Sequence, residues 1–150
     1  MSIDKDIKQG KFRNEHQRSI INIMFTHNWM MEQIKEIVEA EGITMQQFNI
    51  LRILRGSKVP LSTLQIRERM LDKMSDSSRI VDRLVIKGLA KKTIRKNDKR
   101  LVDITITGKG RKLLLNLDEQ EETFDKVVGA LSLLEAKSLN ILLDKIRQSN

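Results

Sequence analysis

The 150-residue chain contains no cysteine, no tyrosine, a single proline and only two histidines. Without cysteine it can form no disulfide, no thiolate metal site and no cysteine-based redox sensor. Neither histidine has partner residues at a spacing typical of metal binding or of acid–base catalysis. The sequence therefore predicts no metal, no other cofactor and no catalytic residues, and it argues against an enzyme.

Aromatic residues and long apolar runs are scarce as well. Aromatic side chains make up 3% of the chain, too few for the stacking platforms that bind single-stranded nucleic acids. No apolar run is long enough to span a membrane, and the N-terminus has no apolar signal-peptide core. We therefore expect a cytoplasmic protein without a membrane partner.

Positive charge is concentrated in the middle of the chain, whose net charge is +8. Between Leu51 and Lys112 there are 18 Lys and Arg against 6 Asp and Glu, whereas the remainder holds 10 basic and 14 acidic residues. A basic segment between acidic flanks is the footprint expected of a module that contacts a polyanion. A solvated basic face would give the same composition, so the arrangement of the basic residues has to distinguish these two interpretations.

A long amphipathic helix is predicted from about Asn14 to Ala40, ending at Gly42, because apolar residues recur there at helical spacing. They form two neighbouring stripes: Ile20, Met24, His27, Met31, Ile34 and Val38 in the first, and Ile21, Phe25 and Trp29 in the second. An apolar face this wide needs cover from two sides, which suggests a partner subunit besides the protein's own core. Residues 1–12 are polar, and we expect them to fray.

Shorter helices follow, and three of them begin with capping-box spacing, in which two side chains satisfy free backbone N–H groups of the first turn. The three pairs are Thr44 with Gln47, Ser62 with Gln65, and Ser132 with Glu135. A further helix is predicted from about Ser75 to Lys87, and one from Gly108 to Ala130 capped by Thr107. Two short helices joined by a tight turn, the second one basic, indicate a helix-turn-helix.

The apolar pattern changes to period two after this basic helix. Leu89–Arg95 and Leu101–Ile106 are predicted strands, joined by a charged turn. The fold class is therefore all-α with a small β-hairpin wing, and the winged helix-turn-helix lies between about Leu61 and Thr107.

Candidate DNA contacts lie on the basic helix and on the wing. In a helix-turn-helix the N-terminal part of the second helix enters the major groove, where short polar side chains and Arg reach base edges. Arg79, Arg83 and Lys87 are spaced by four and share one face of the helix. The candidates are Ser75, Asp76, Ser77, Ser78, Arg79, Arg83 and Lys87 on the helix, and Arg95, Lys96, Lys99 and Arg100 on the wing.

These candidates have different expected roles. We expect Ser77, Ser78 and Arg79 to discriminate bases, and Arg83 and Lys87 to hold phosphates. Arg100 is expected to reach a narrow A·T-rich minor groove, with Asp98 orienting it rather than touching DNA. Asp82 can pair with Arg79 or Arg83, or it can be solvated.

Three motifs lie around the wing: Asp82-Arg83-Leu84-Val85-Ile86-Lys87-Gly88-Leu89, Asn97-Asp98-Lys99-Arg100, and Ile106-Thr107 followed by Gly110. Together these motifs resemble those of the MarR family of regulators. The resemblance implies a single domain over residues 1–150, with a DNA-binding part at 44–107 and a helical dimerisation part at 12–42 and 108–150. It also implies a homodimeric regulator, more often a repressor, that binds pseudo-palindromic operators in double-stranded DNA.

The resemblance further implies that a small aromatic or anionic effector could release the DNA. We place this effector between the dimerisation and DNA-binding parts, near a polar His and a Trp N–H among soft apolar side chains. The candidates are His27, Trp29, Met30, Met31 and Met45. A filled interface without a ligand is the competing interpretation.

One alternative function belongs to a different class. A winged helix can also serve as a protein- or RNA-interaction module without operator specificity. A basic second helix together with a basic wing favours duplex DNA, because a wing built for protein contacts does not require such charge.

Overall fold

The computed structural model describes residues 2–8, 10–95 and 102–148. The helices are α1 (Ile3–Asp6), α2 (Glu15–Ala40), α3 (Met45–Gly56), α4 (Thr63–Arg69), α5 (Ser77–Ile86), α6 (Gly108–Asp118), α7 (Glu121–Lys126) and α8 (Leu133–Arg147), and the strands are β1 (Ala90–Ile94) and β2 (Val102–Ile106). The predicted fold class, all-α with a small hairpin, is confirmed.

The beginning of the chain is more ordered than its composition indicates. Ile3, in α1, is only 5% exposed, and Asp4 accepts a hydrogen bond from Arg18 of α2 at 3.0 Å. The expectation that residues 1–12 fray is wrong for this turn, because one buried apolar side chain and one ion pair hold it. Asn14 caps α2 by accepting from the Gln17 N–H at 2.9 Å, close to the predicted start.

All three predicted capping boxes are present. In α3 the Thr44 hydroxyl accepts from the Gln47 N–H at 3.3 Å, and the Gln47 amide oxygen accepts from the Thr44 N–H at 3.1 Å. The boxes at the starts of α4 and α8 have the same reciprocal pattern. At α8, hydrogen bonds from the Ser132 hydroxyl and N–H hold the pKa of Glu135 below its usual value. These local signals therefore set the helix starts as expected.

The helix predicted from Gly108 to Ala130 is interrupted, and this prediction is wrong. In the structure α6 ends at Asp118, and α7 covers only Glu121–Lys126. Acidic residues are unfavourable at a helix C-terminus and favourable in a first turn, because of the helix dipole. A break within the acidic run puts Glu121 and Glu122 in the favourable first turn of α7. It also puts Asp118 at the unfavourable C-terminal end of α6, where a bidentate ion pair with Arg55 of α3, at 2.6 and 3.0 Å, compensates its charge.

The hydrophobic core lies between α3, α4, α5, the hairpin and α6. Its fully buried members include Ile50, Leu51, Leu61, Ile66, Val81, Leu84, Ile104 and Leu114. In contrast, α2 contributes a single buried residue, Val38, and α8 contributes none. The N-terminal half of α2 and the whole of α8 therefore lie outside this core. Within the described residues, no helix is long and apolar enough to cross a membrane.

The hairpin is joined tightly to both neighbouring elements. Its strands are antiparallel, with Ala90 opposite Ile106 and Ile94 opposite Val102. Leu61 adds an isolated bridge to Ile104, with N–H···O distances of 3.1 and 2.8 Å. Between α5 and β1, Gly88 adopts φ +70°, and the Leu89 N–H donates to the Leu84 carbonyl at 2.9 Å. This Schellman-type ending requires a left-handed residue, which glycine adopts without strain.

Candidate nucleic-acid interface

The basic helix α5 begins at an aspartate cap. The Asp76 carboxylate accepts from the Arg79 N–H at 3.2 Å, and it also pairs with the Arg79 guanidinium at 3.3 Å. The helix starts two residues later than predicted, so that Ser75 and Asp76 precede it. Asp76 is thereby engaged with α5 and with Arg79, and Arg79 is held at the exposed N-terminal turn.

The small polar residues of the first turn face different ways. Ser77 is 4% exposed, and its hydroxyl has no hydrogen-bond partner among the described residues. Ser78 is exposed. The structure does not support a base contact from Ser77, because its side chain points into the protein. Ser78 and Arg79 are the residues of this turn that can reach a ligand.

Arg83 and Lys87 also have unlike surroundings. Arg83 is exposed, and its guanidinium has no ion pair or hydrogen bond to any described residue. Lys87 follows the last residue of α5, and its ammonium donates to the Gly42 carbonyl at 2.5 Å and to the Gln47 amide oxygen at 3.3 Å. Arg83 is available for a phosphate, whereas Lys87 already joins the start of α3 to the end of α5.

One ion pair ties this surface to the hairpin, and a second lies within the hairpin. Asp82 of α5 pairs with Lys92 of β1, and not with Arg79 or Arg83. Arg95, just after β1, donates to Asp103 of β2 at 2.7 Å. Both contacts place a carboxylate of the region against a cation.

Each described carboxylate between residues 70 and 107 accepts a hydrogen bond or forms an ion pair. Asp72 accepts hydrogen bonds in the turn before α5, Asp76 caps the helix and pairs with Arg79, and Asp82 and Asp103 are ion-paired. The described residues of this segment, 70–95 and 102–107, hold seven Lys and Arg against four Asp, a net charge of +3. Net positive charge favours a polyanion as partner, and the Arg83 guanidinium is the clearest unpaired cation of this surface.

The tip of the wing cannot be compared with its prediction. Lys96, Asp98, Lys99 and Arg100 lie outside the described residues. Their proposed roles at a minor groove stay predictions.

The turn between α4 and α5 was expected from the sequence, but the hydrogen bonds that shape it were not. The Asp72 carboxylate accepts from the Ser75 hydroxyl at 2.7 Å and from the Met74 N–H at 3.0 Å. The hydrogen bonds from Ser75 and then Met74 lower the pKa of Asp72 from its usual value. At the start of the turn, the Leu71 N–H donates to the Asn49 side chain of α3 at 3.0 Å. The spacing of Asp72 and Ser75 is typical of an Asx-turn and could have signalled this.

The predicted effector residues are not brought together. A cavity of about 630 Å³ is lined by α1 and the N-terminal half of α2, and Trp29 is the one member of the predicted set that lines it. His27 is exposed beside Asn28, and Met45 packs against the core. An effector site stays a prediction. The described residues contain no group of three or more His, Cys, Asp and Glu that could hold a metal.

Proteins similar to this chain include transcriptional regulators. No family model matches the sequence. The chain is 29% identical over 115 residues to the "HTH-type transcriptional repressor MdtR" of Bacillus subtilis, a match that covers 75% of this chain and 66% of that repressor, slightly less than two thirds.

Two solved structures show the same fold over nearly the whole chain. A MarR transcription factor from Planctomyces limnophilus has 28% identity and a TM-score of 0.67, covering 93% of this chain and 100% of its own. A mutant MarR from E. coli complexed with operator DNA has 22% identity and a TM-score of 0.80, covering 91% and 99%.

The helix-turn-helix, the hairpin that follows it and these matches define a winged-helix protein. The order of all the elements and the likeness over nearly the whole chain extend the similarity to the fold of MarR regulators.

Proposed function

We propose that this chain is a sequence-specific, homodimeric transcriptional regulator, acting as a repressor of pseudo-palindromic operators in cytoplasmic DNA. One observation carries the proposal. Helix α5 exposes Ser78, Arg79 and Arg83 on a surface whose described residues, 70–95 and 102–107, hold seven Lys and Arg against four Asp. Such a surface is suited to duplex DNA, because it combines a helix that fits the major groove with net positive charge.

Arg79 and Arg83 contribute differently to this proposal. Arg79 lies in the first turn of α5, and Asp76 restrains its guanidinium, which favours a fixed orientation towards a base edge. A bidentate contact of Arg with guanine is worth about 1–3 kcal/mol of discrimination. Arg83 lies one turn further along the helix without a protein partner, and we assign it to a phosphate, which contributes affinity but no sequence information directly.

The dimer is supported by the apolar surface that the single chain leaves in water. In α2, Ile20 is 59% and Met24 is 63% exposed. In α8, Leu133 is 91%, Leu142 is 59% and Ile146 is 55% exposed. Exposed apolar side chains at helical spacing, such as Ile20 with Met24 and Leu142 with Ile146, mark an interaction site, and a second copy covers them with the parts of residues 12–42 and 108–150 that lie outside the core. Two-fold symmetry then accounts for a pseudo-palindromic operator.

The two named relatives support the repressor role and the duplex. The Bacillus subtilis relative is called a repressor, and the E. coli neighbour was solved with operator DNA. Neither property transfers by itself at these identities, so both need a direct test.

The test begins with selection of duplexes from a random pool by the intact protein. Binding to the selected duplex is then measured over a salt series for the parent, for Arg83→Ala, and for Lys137→Ala as a control. Lys137 is an exposed residue of α8, which contributes nothing to the core or to α5. We expect Arg83→Ala to reduce the slope of log affinity against log salt by about one unit, because one phosphate contact is lost.

Two other outcomes would each contradict a different part of the proposal. If no duplex is enriched while structured RNA or protein is bound, the chain is an interaction module and the proposal fails. If a duplex is enriched but Arg83→Ala and Lys137→Ala behave alike, the protein binds DNA through another surface.

A further inference from the structure

The turn before α5 exposes two large apolar side chains. Leu71 is 83% exposed and Met74 is 92% exposed, the latter being more exposed than any other large apolar side chain in the described part of the chain. Met74 lies two residues before Asp76, the N-terminal cap of α5, the helix that carries Ser78 and Arg79. Neither side chain packs in the core, so the stability of the fold does not explain why large apolar residues occupy these two positions.

Hydrogen bonds fix the turn in this exposed form. Asp72 accepts from the Met74 N–H at 3.0 Å and from the Ser75 hydroxyl at 2.7 Å. The Ser77 N–H donates to the Ser75 carbonyl at 2.9 Å, and the neighbouring Met70 side chain is 2% exposed and anchors the other end. The turn therefore cannot fold Met74 inward without breaking several hydrogen bonds.

The position of Met74 indicates what its partner is. Met74 lies in the turn that leads directly into α5, whose exposed Ser78 and Arg79 are proposed to face base edges. With α5 in the major groove, as proposed, Met74 lies beside the same groove and can contact an apolar group there. In the major groove of duplex DNA that group is the C5-methyl of thymine, which no other DNA base carries there.

We propose that Met74 reads a thymine methyl group in the major groove next to the bases contacted from α5. The proposal rests on the proposed DNA-binding function and adds a specificity determinant to it. Methionine suits this role because its unbranched, polarisable side chain adapts to the contact. The contact adds selection for thymine at one position of each operator half-site, without a hydrogen bond.

The experiment uses deoxyuridine, which differs from thymine only by the missing methyl group. Each thymine of the selected duplex is replaced in turn, symmetrically in both half-sites, and affinity is measured for the parent, Met74→Ala, Met74→Leu and Ile86→Ala. Ile86 is the control, because it is 85% exposed at the opposite end of α5. A far-ultraviolet spectrum of each variant verifies the fold.

We expect one thymine position at which the parent loses about fourfold in affinity for each methyl removed, the size expected for one buried methyl group. Met74→Ala should bind thymine and deoxyuridine duplexes equally at that position. Met74→Leu keeps an apolar side chain and should retain much of the preference, and Ile86→Ala should retain all of it.

Two results overturn the assignment while leaving DNA binding intact. The first is a parent protein indifferent to deoxyuridine at every position, and the second is a Met74→Ala variant with the parent's full methyl preference. Failure of the parent to bind any duplex is a separate result. It refutes the DNA-binding function itself and Met74's role with it.

Discussion

Replacing Gly110 by alanine tests how α6 is seated against the hairpin. Gly110 is the third residue of α6, where a Cβ atom would lie 2.3 Å from the Leu89 carbonyl oxygen and 2.8 Å from Cγ1 of Ile106. The oxygen cannot simply turn away, because it accepts the Thr107 N–H at 3.1 Å. Thr107 in turn caps α6 by accepting from the Gly110 N–H at 3.1 Å. The added methyl group must therefore push the helix start away from the strand.

The size of the effect follows from two opposing terms. Overpacking of a close contact costs about 1–3 kcal/mol, and a clash with backbone rather than with a flexible side chain puts this position at the upper end. Replacing glycine by alanine in a compatible helix gains about 0.5–1 kcal/mol. We expect a net loss of about 2 kcal/mol in the free energy of unfolding. For a chain of this length that lowers Tm by about 4–8 °C.

Gly108 provides a matched control two residues away. It is the first residue of the same helix, and a Cβ atom there would meet nothing within 4 Å. Both variants and the parent are unfolded by heat at one protein concentration, since oligomer formation makes Tm depend on concentration. Gly108→Ala should unfold at or above the parent temperature and Gly110→Ala well below it. Equal Tm values for the two variants would refute the close approach of α6 to Leu89.

Two further predictions concern Lys87 and the dimer. Lys87→Ala should lower Tm, because the hydrogen bonds to Gly42 and Gln47 are lost, and should leave the salt slope of DNA binding unchanged. A variant whose Tm equals that of the parent but whose salt slope is reduced by about one unit would instead show that Lys87 contacts a phosphate. Light scattering should give the intact protein a mass of twice the 17.4 kDa of one chain. Leu142→Lys places a charge on the exposed apolar face of α8 and should reduce that mass. A parent protein that scatters as a folded monomer would contradict the dimer.

Signals contained within a few neighbouring residues were predictable from the sequence. The capping boxes at Thr44, Ser62 and Ser132 fix the starts of three helices, because both partners lie within one turn. The glycine ending of α5 and the period-two pattern of the hairpin are equally local. Partners distant in sequence were not predictable. Arg55 meets Asp118 across 63 positions and Lys87 meets Gly42 across 45, and only the packing of the helices brings these side chains together.

Helical spacing alone could have predicted which residues of α5 are buried. Ser77, Val81 and Leu84 are separated by four and three residues, so they lie on one side of the helix, and all three are buried. That spacing alone places Ser77 with the core, and it would have removed Ser77 from the expected base contacts. Arg79 and Arg83 lie on the other side. Lys87 continues their spacing by four, and its N–H still donates to the Arg83 carbonyl at 3.0 Å. What distinguishes Lys87 from Arg83 is its contact with Gly42 and Gln47, residues at least 40 positions away, and spacing along α5 cannot predict such a contact.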